Sequence, residues 1–100
     1  MYTDTQLKRL EKAAKSDETV FIRSADEVNS LSSRPNNSGP LTWKFRIENA
    51  RDVAWASSSA FILDAARISL PSGEQSMAIS AYPVESIGDK AWGRSTEYTK

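Results

Sequence analysis

Leu41-Thr42-Trp43-Lys44-Phe45-Arg46-Ile47-Glu48-Asn49-Ala50-Arg51-Asp52-Val53-Ala54-Trp55-Ala56-Ser57 decides whether this chain reads as a β protein. Leu41, Trp43, Phe45 and Ile47 take every second position, with Thr42, Lys44, Arg46 and Glu48 between them. That period predicts a strand with one apolar and one wet face, the mark of an antiparallel sheet packed on one side. Trp43 and Trp55 carry large apolar areas, and each indole N–H needs a partner when buried. Trp43 is thus expected to anchor the core: Trp43→Ala should cost roughly 3–5 kcal/mol and Lys44→Ala under about 0.5 kcal/mol. Asn49-Ala50-Arg51-Asp52 supplies turn chemistry. Val53 and Trp55 resume the alternation until Ser57-Ser58-Ser59 ends it.

Downstream, Ala60 to Leu70 reads as a second strand, with a mixed signal at Phe61-Ile62-Leu63 and Ala65-Ala66. Pro71-Ser72-Gly73-Glu74 marks a tight turn, which predicts a hairpin with Ile68 and Leu70 opposite Met77 and Ile79. Pro83 ends or edges the last strand. Residues 88–93 are irregular around Trp92, and Ser95 caps a helix that would run to Lys100. A helix of one or two turns is unstable without packing, so this end is expected to fray and to leave Trp92 partly exposed or buried in a contact between copies of the chain.

Upstream, Ser32 to Pro40 is dense in turn formers and reads as a flexible loop. Asn36-Asn37-Ser38 matches a glycosylation sequon, which the loop composition alone explains. Thr19 to Ile22 is a short strand, and Ser24-x-x-Glu27 has capping-box spacing. The neighbouring acids Asp26 and Glu27 point apart in a first helical turn, where the N-terminal dipole accounts for them better than paired-carboxylate chemistry does. Thr3 to Lys15 predicts an amphipathic helix with Leu7, Leu10 and Ala14 on its apolar stripe, capped by Thr3 or Asp4, with Thr3-x-x-Gln6 as a capping box. Lys12 and Lys15 suit its C-terminal end as a solvated face.

These elements predict an α+β, mostly β fold: an N-terminal amphipathic helix plus an antiparallel sheet, part of a β-sandwich or saddle-like domain. Residues 1–31 hold the helix, short strand and capped turn, 32–40 the flexible loop, 41–92 the antiparallel β segment, and 93–100 the start of a helix. A chain of 100 residues holds one modest core. Its 13 basic and 13 acidic residues balance, which argues against nucleic acid or an anionic membrane as partner. The absence of Cys excludes disulfides, thiolate metal sites and a Cys nucleophile. Met1-Tyr2-Thr3-Asp4 has no secretory pattern.

The run from Thr42 to Ser57 resembles the late part of the N-terminal β-domain of zinc aminopeptidases of peptidase family M1, in a bacterial, Bacteroidetes-like subgroup. Thr19-Val20-Phe21-Ile22 with Ser24-Ala25-Asp26-Glu27 is similar to the strand and acidic turn preceding it there. Trp92-Gly93-Arg94-Ser95-Thr96-Glu97-Tyr98-Thr99-Lys100 is similar to the segment leading into the first helix of the catalytic domain. The resemblance implies a parent that removes amino-terminal residues from peptides with zinc, possesses a catalytic domain as this segment's partner, and is exported.

The chemistry of that family is not in this sequence. With no His, the zinc helix His-Glu-x-x-His is missing. The Gly-x-Met-Glu type of motif is missing too, since Met77 sits in Ser76-Met77-Ala78-Ile79. No catalytic, cofactor-binding or metal residue is assigned, and the chain alone is expected not to be an enzyme. Glu48, Asp52 and Asp64 would make a cation site only if a sheet surface gathered them, and they lack the spacing of an Asp-rich loop. The expected function is a non-catalytic accessory β-domain fragment, its junction surface open to weak self-association. The alternative is a free-standing β-rich module that holds peptide or carbohydrate on exposed Trp55 or Trp92.

Overall fold

The computed structural model of the chain describes residues 2–34, 39–88 and 90–99. Its centre is the hairpin of β2 (Phe61–Ser69) and β3 (Gln75–Pro83). The mixed signal at 61–66 resolves to strand because β2 is the middle strand and packs on both faces, so consecutive apolar residues are all used. In the connection, Gly73 N–H donates to Leu70 O and Leu70 N–H to Glu74 O, both at 2.9 Å. Pro71 presets the first bend, and Gly73 supplies the left-handed conformation at φ +85 that a side chain would strain.

That turn fixes the register at Ser69 opposite Gln75, with Ile62 opposite Tyr82 and Asp64 opposite Ser80. Met77 lies opposite Arg67 and Ile79 opposite Ala65. The expected pairing of Ile68 and Leu70 with Met77 and Ile79 is therefore corrected: Ile68 lies opposite Ser76, on the other face from Met77. A turn that closes between Leu70 and Glu74 leaves no freedom to slide, and an odd-numbered slip exchanges faces.

Strand β1 (Val20–Arg23) completes an antiparallel three-stranded sheet of order β1-β2-β3. Val20 faces Ala65, Phe21 faces Asp64 and Arg23 faces Leu63, so Ile22 is the extra residue of a bulge. On one side of the sheet, Ile22 and Ala65 pack with Ala13, flanked by Leu10, Val20, Leu63 and Met77. On the other, Ile62 and Tyr82 pack with Val28.

Helix α1 (Asp4–Ala13) covers the first side. Its capping box is formed: Thr3 Oγ1 accepts from Gln6 N–H and Thr3 N–H donates to Gln6 Oε1. Its buried stripe runs through Gln6 and Ala13, while Leu7 and Ala14 are exposed, which rotates the expected stripe by about one residue. Polar ties set this rotation. Gln6 Nε2 donates to Ser33 O at 2.9 Å, Arg9 Nη1 to Ile22 O at 3.0 Å, and Arg67 N–H to Ser16 O at 2.9 Å.

The 3-10 turn Ala25–Glu27 forms at the expected Ser24–Glu27 box. A second 3-10 turn, Leu31–Ser33, buries Ser33 and occupies the start of the expected loop. The sequon at 36–38 lies outside the described residues. Helix α2 (Ser95–Thr99) follows a 3-10 turn at Trp92–Arg94, so Ser95 lies inside the helix rather than at its cap. It seats Thr96, 1% exposed, on the second side of the sheet. The expected fraying meets a specific anchor there, although Trp92 is exposed as expected.

The largest correction falls on residues 41–57, which form neither strand nor helix and are exposed throughout. Trp43 is 57% exposed and Trp55 73%. Trp43 and Phe45 still stack, with centroids 6.3 Å apart, as alternate residues of an extended segment do. Both neighbours of β2 are taken by β1 and β3, so the run finds no place in the ladder of that strand. The chain is α+β, with an N-terminal helix and one three-stranded antiparallel sheet among the described residues.

The stability contrast shifts accordingly. Ile62→Ala is expected to cost roughly 2–5 kcal/mol, whereas Trp43→Ala should stay below about 1 kcal/mol, close to Lys44→Ala. Urea titrations of the three variants check this, and a Trp43→Ala loss matching that of Ile62→Ala would place the run in a core.

Candidate binding groove

Register places Phe61, Leu63 and Ala81 on the same side of the sheet as α1, just past the helix. Residues 41–59 pass over this uncovered end as an arm. Between the two lies a groove of about 710 Å³, walled by Leu41, Trp43, Phe45 and Trp55 and floored by Phe61, Leu63 and Ala81. Its volume is that of a small-molecule or peptide-end site. Arg23 and Arg34 are its charged residues, and no carboxylate lines it among the described residues.

Arg23 holds the groove together. Its Nε donates to Ser33 Oγ at 3.1 Å, its Nη1 to Ser59 O at 2.9 Å and Phe61 O at 3.2 Å, and its Nη2 to Val28 O at 2.8 Å. The same carbonyl of Val28 receives Arg34 Nη2 at 3.4 Å, which brings two guanidinium groups together. Burial first, and the Arg34 charge second, lower the pKa of Arg23, with Glu27 opposing. Glu27 itself is neutralised by Arg9, 2.6 Å away, and is bonded by Ser24 N–H at 3.0 Å. The Arg9 bond and then the Ser24 backbone bond hold its carboxyl at about 2.

The opposite side of the sheet carries a buried polar cluster. Asp64 is fully buried; Tyr82 Oη donates to its Oδ2 at 2.6 Å and Thr96 Oγ1 donates to its Oδ1. Thr96 has one proton, so in its 2.7 Å contact with Ser80 Oγ the serine is the donor. Burial first, and the bond to Asp64 next, push the Tyr82 phenol above its ordinary range. This cluster is sealed and bonded, and it clamps α2 to β2 and β3.

The structure separates Glu48, Asp52 and Asp64. The first two are exposed on the arm, and the third is enclosed by Tyr82 and Thr96. No group of three or more His, Cys, Asp or Glu residues gathers for a metal among the described residues. Asp26 is exposed, and Glu27 closes its capping box as expected. Ser57, Ser58 and Ser59 line the groove. Trp55 borders the groove and Trp92 does not. No helix of the described residues is long and apolar enough to cross a membrane. The convergence of Arg23 and Arg34 has no signal in the sequence, because the bulge that directs Arg23 exists only in the folded sheet. Comparison of the chain with protein-family models, curated proteins and solved structures finds no match.

Two measurements test this electrostatic frame. Glu27 has a depressed folded pKa, so its contribution is present above the unfolded value of 4.5 and is lost as pH falls toward about 2. Glu27→Gln should therefore flatten the acid limb of a stability-versus-pH curve across that window. Tyr82→Phe removes a donor from a buried carboxylate and should cost about 1.5–3 kcal/mol, while Tyr98→Phe, at an exposed residue, should cost less than about 0.5 kcal/mol. A neutral Tyr82→Phe would overturn the bond to Asp64.

Proposed function

We propose that this chain is a non-catalytic accessory segment of a zinc aminopeptidase of the M1 type, and that the arm at 41–57 is the surface through which it packs against the catalytic domain. The observation that carries the reading is the exposure of Trp43, Phe45, Ile47, Val53 and Trp55 within one run of sequence that joins neither core, although Leu31, Ile87, Trp92 and Tyr98 are exposed elsewhere. Monomers rarely expose apolar patches larger than a few hundred Å² without a use for them. The run that bears the family resemblance is also the run without cover inside the chain. Zinc and peptide substrate belong to the parent in this reading. Here the chain supplies shape and contact surface.

A second reading, a free-standing module for peptide or carbohydrate, is favoured by two observations. Thr96 docks α2 onto the sheet without any further domain, and the exposed tryptophans flank a groove.

The full reading frame separates the two, since neither expects activity of the chain alone. The chain alone is expected neither to bind zinc one to one nor to cleave aminoacyl reporter substrates, having no imidazole or thiolate. A longer polypeptide encoded at the same locus should carry His-Glu-x-x-His within roughly a hundred residues downstream and cleave those substrates. Absence of that motif from the full reading frame would remove the peptidase reading and leave the module.

A further inference from the structure

The groove combines an aromatic wall with two guanidinium groups and no lining carboxylate among the described residues. Like charges are normally kept apart or neutralised, because each raises the cost of desolvating the other. Here Arg23 Nη2 and Arg34 Nη2 converge on the Val28 carbonyl. Arg9 pairs with Glu27 at 2.6 Å. Glu27 still acts on Arg23, so the positive charge this end of the groove presents to a ligand is mainly that of the exposed Arg34.

The two arginines divide the task. Arg23 spends its donors on Ser33, Ser59, Phe61 and Val28, so it contributes charge and holds the frame. Arg34 is exposed and makes one long bond, which leaves most of its donor fork for an incoming oxyanion. Trp43, Phe45 and Trp55 on the wall of the same groove suit an apolar side chain. The arm's backbone, having no strand ladder, offers N–H and C=O groups to an extended chain, as in strand addition.

We infer that the groove binds the carboxyl-terminal end of an apolar peptide, with its terminal carboxylate on Arg34 and its last side chains against the aromatic wall. A peptide fits better than a simple alkyl carboxylate, because only a peptide also pairs with the free backbone of the arm. The inference goes beyond the accessory-segment reading and does not need it. A missing zinc motif downstream would leave the groove's chemistry intact, and a groove that binds nothing would leave the peptidase reading standing.

The test is fluorescence anisotropy with the 100-residue chain and an amino-terminally fluorescein-labelled Ala-Leu-Ala-Phe peptide. Saturable binding is expected, weakened at least tenfold when the peptide is carboxyl-amidated, and weakened likewise by Arg34→Gln or Trp55→Ala. Trp92→Ala, outside the groove, should leave affinity unchanged. Thermal melts of Arg34→Gln should match those of the parent chain, so that a loss of binding reports the site and not the fold. Equal binding of acid and amide, insensitivity to Arg34→Gln, displacement by decanoate as strong as by unlabelled peptide, or no saturable binding would each overturn the inference.

Discussion

A single guanidinium fixes how the parts of this molecule meet. Arg23, at the end of β1, sits where the base of the arm and the two 3-10 turns after β1 converge, and its side chain bonds to Ser33, Val28, Ser59 and, on β2, Phe61. A partly buried cation is costly unless its donors are satisfied. The planar fork of arginine meets four acceptors on four segments, which a lysine could not do. The outcome is directional: Ser59 is held near Phe61, the arm begins over the Leu63 end of the sheet, and the groove opens there.

The other side of the sheet uses the opposite charge for a similar purpose. Asp64 is enclosed, and its two oxygens are taken by Tyr82 and Thr96, from β3 and α2. No buried side-chain nitrogen or oxygen is left without a partner among the described residues, which is what makes such a cluster tolerable in a low-dielectric setting. The short helix α2 has too few turns to persist by itself. Its position is decided by a threonine hydroxyl whose partners lie 32 and 16 positions away in the chain.

Those separations explain which features could be read from the sequence. The capping boxes at Thr3–Gln6 and Ser24–Glu27 and the turn at Pro71–Gly73 are local devices with partners three residues away, and each formed where expected. The hairpin was legible for the same reason, while its register depended on the closing pair of the turn. Alternation at 41–57 reports that one face seeks cover, but does not identify the cover. In this chain β2 is already paired on both edges and residues 41–57 pair with neither edge strand, so the apolar face stays exposed. The rotation of α1 escaped the pattern because Gln6, a polar residue, occupies a buried position by virtue of a carbonyl 27 residues away. The two-arginine groove escaped it because charge pairs of equal sign have no sequence period.

The bulge at Ile22 gives β1 a significance out of proportion to its four residues. With two consecutive residues opposite one partner, Ile22 joins the core under α1 while Arg23 still shares a side with Leu63. Simple alternation could satisfy only one of them. The length of this strand therefore acts as a phase setting that couples the helix-covered half of the sheet to the groove half. During divergence, side chains in either half can be exchanged one at a time, but a single codon gained or lost between Phe21 and Ser24 would put the two halves out of step.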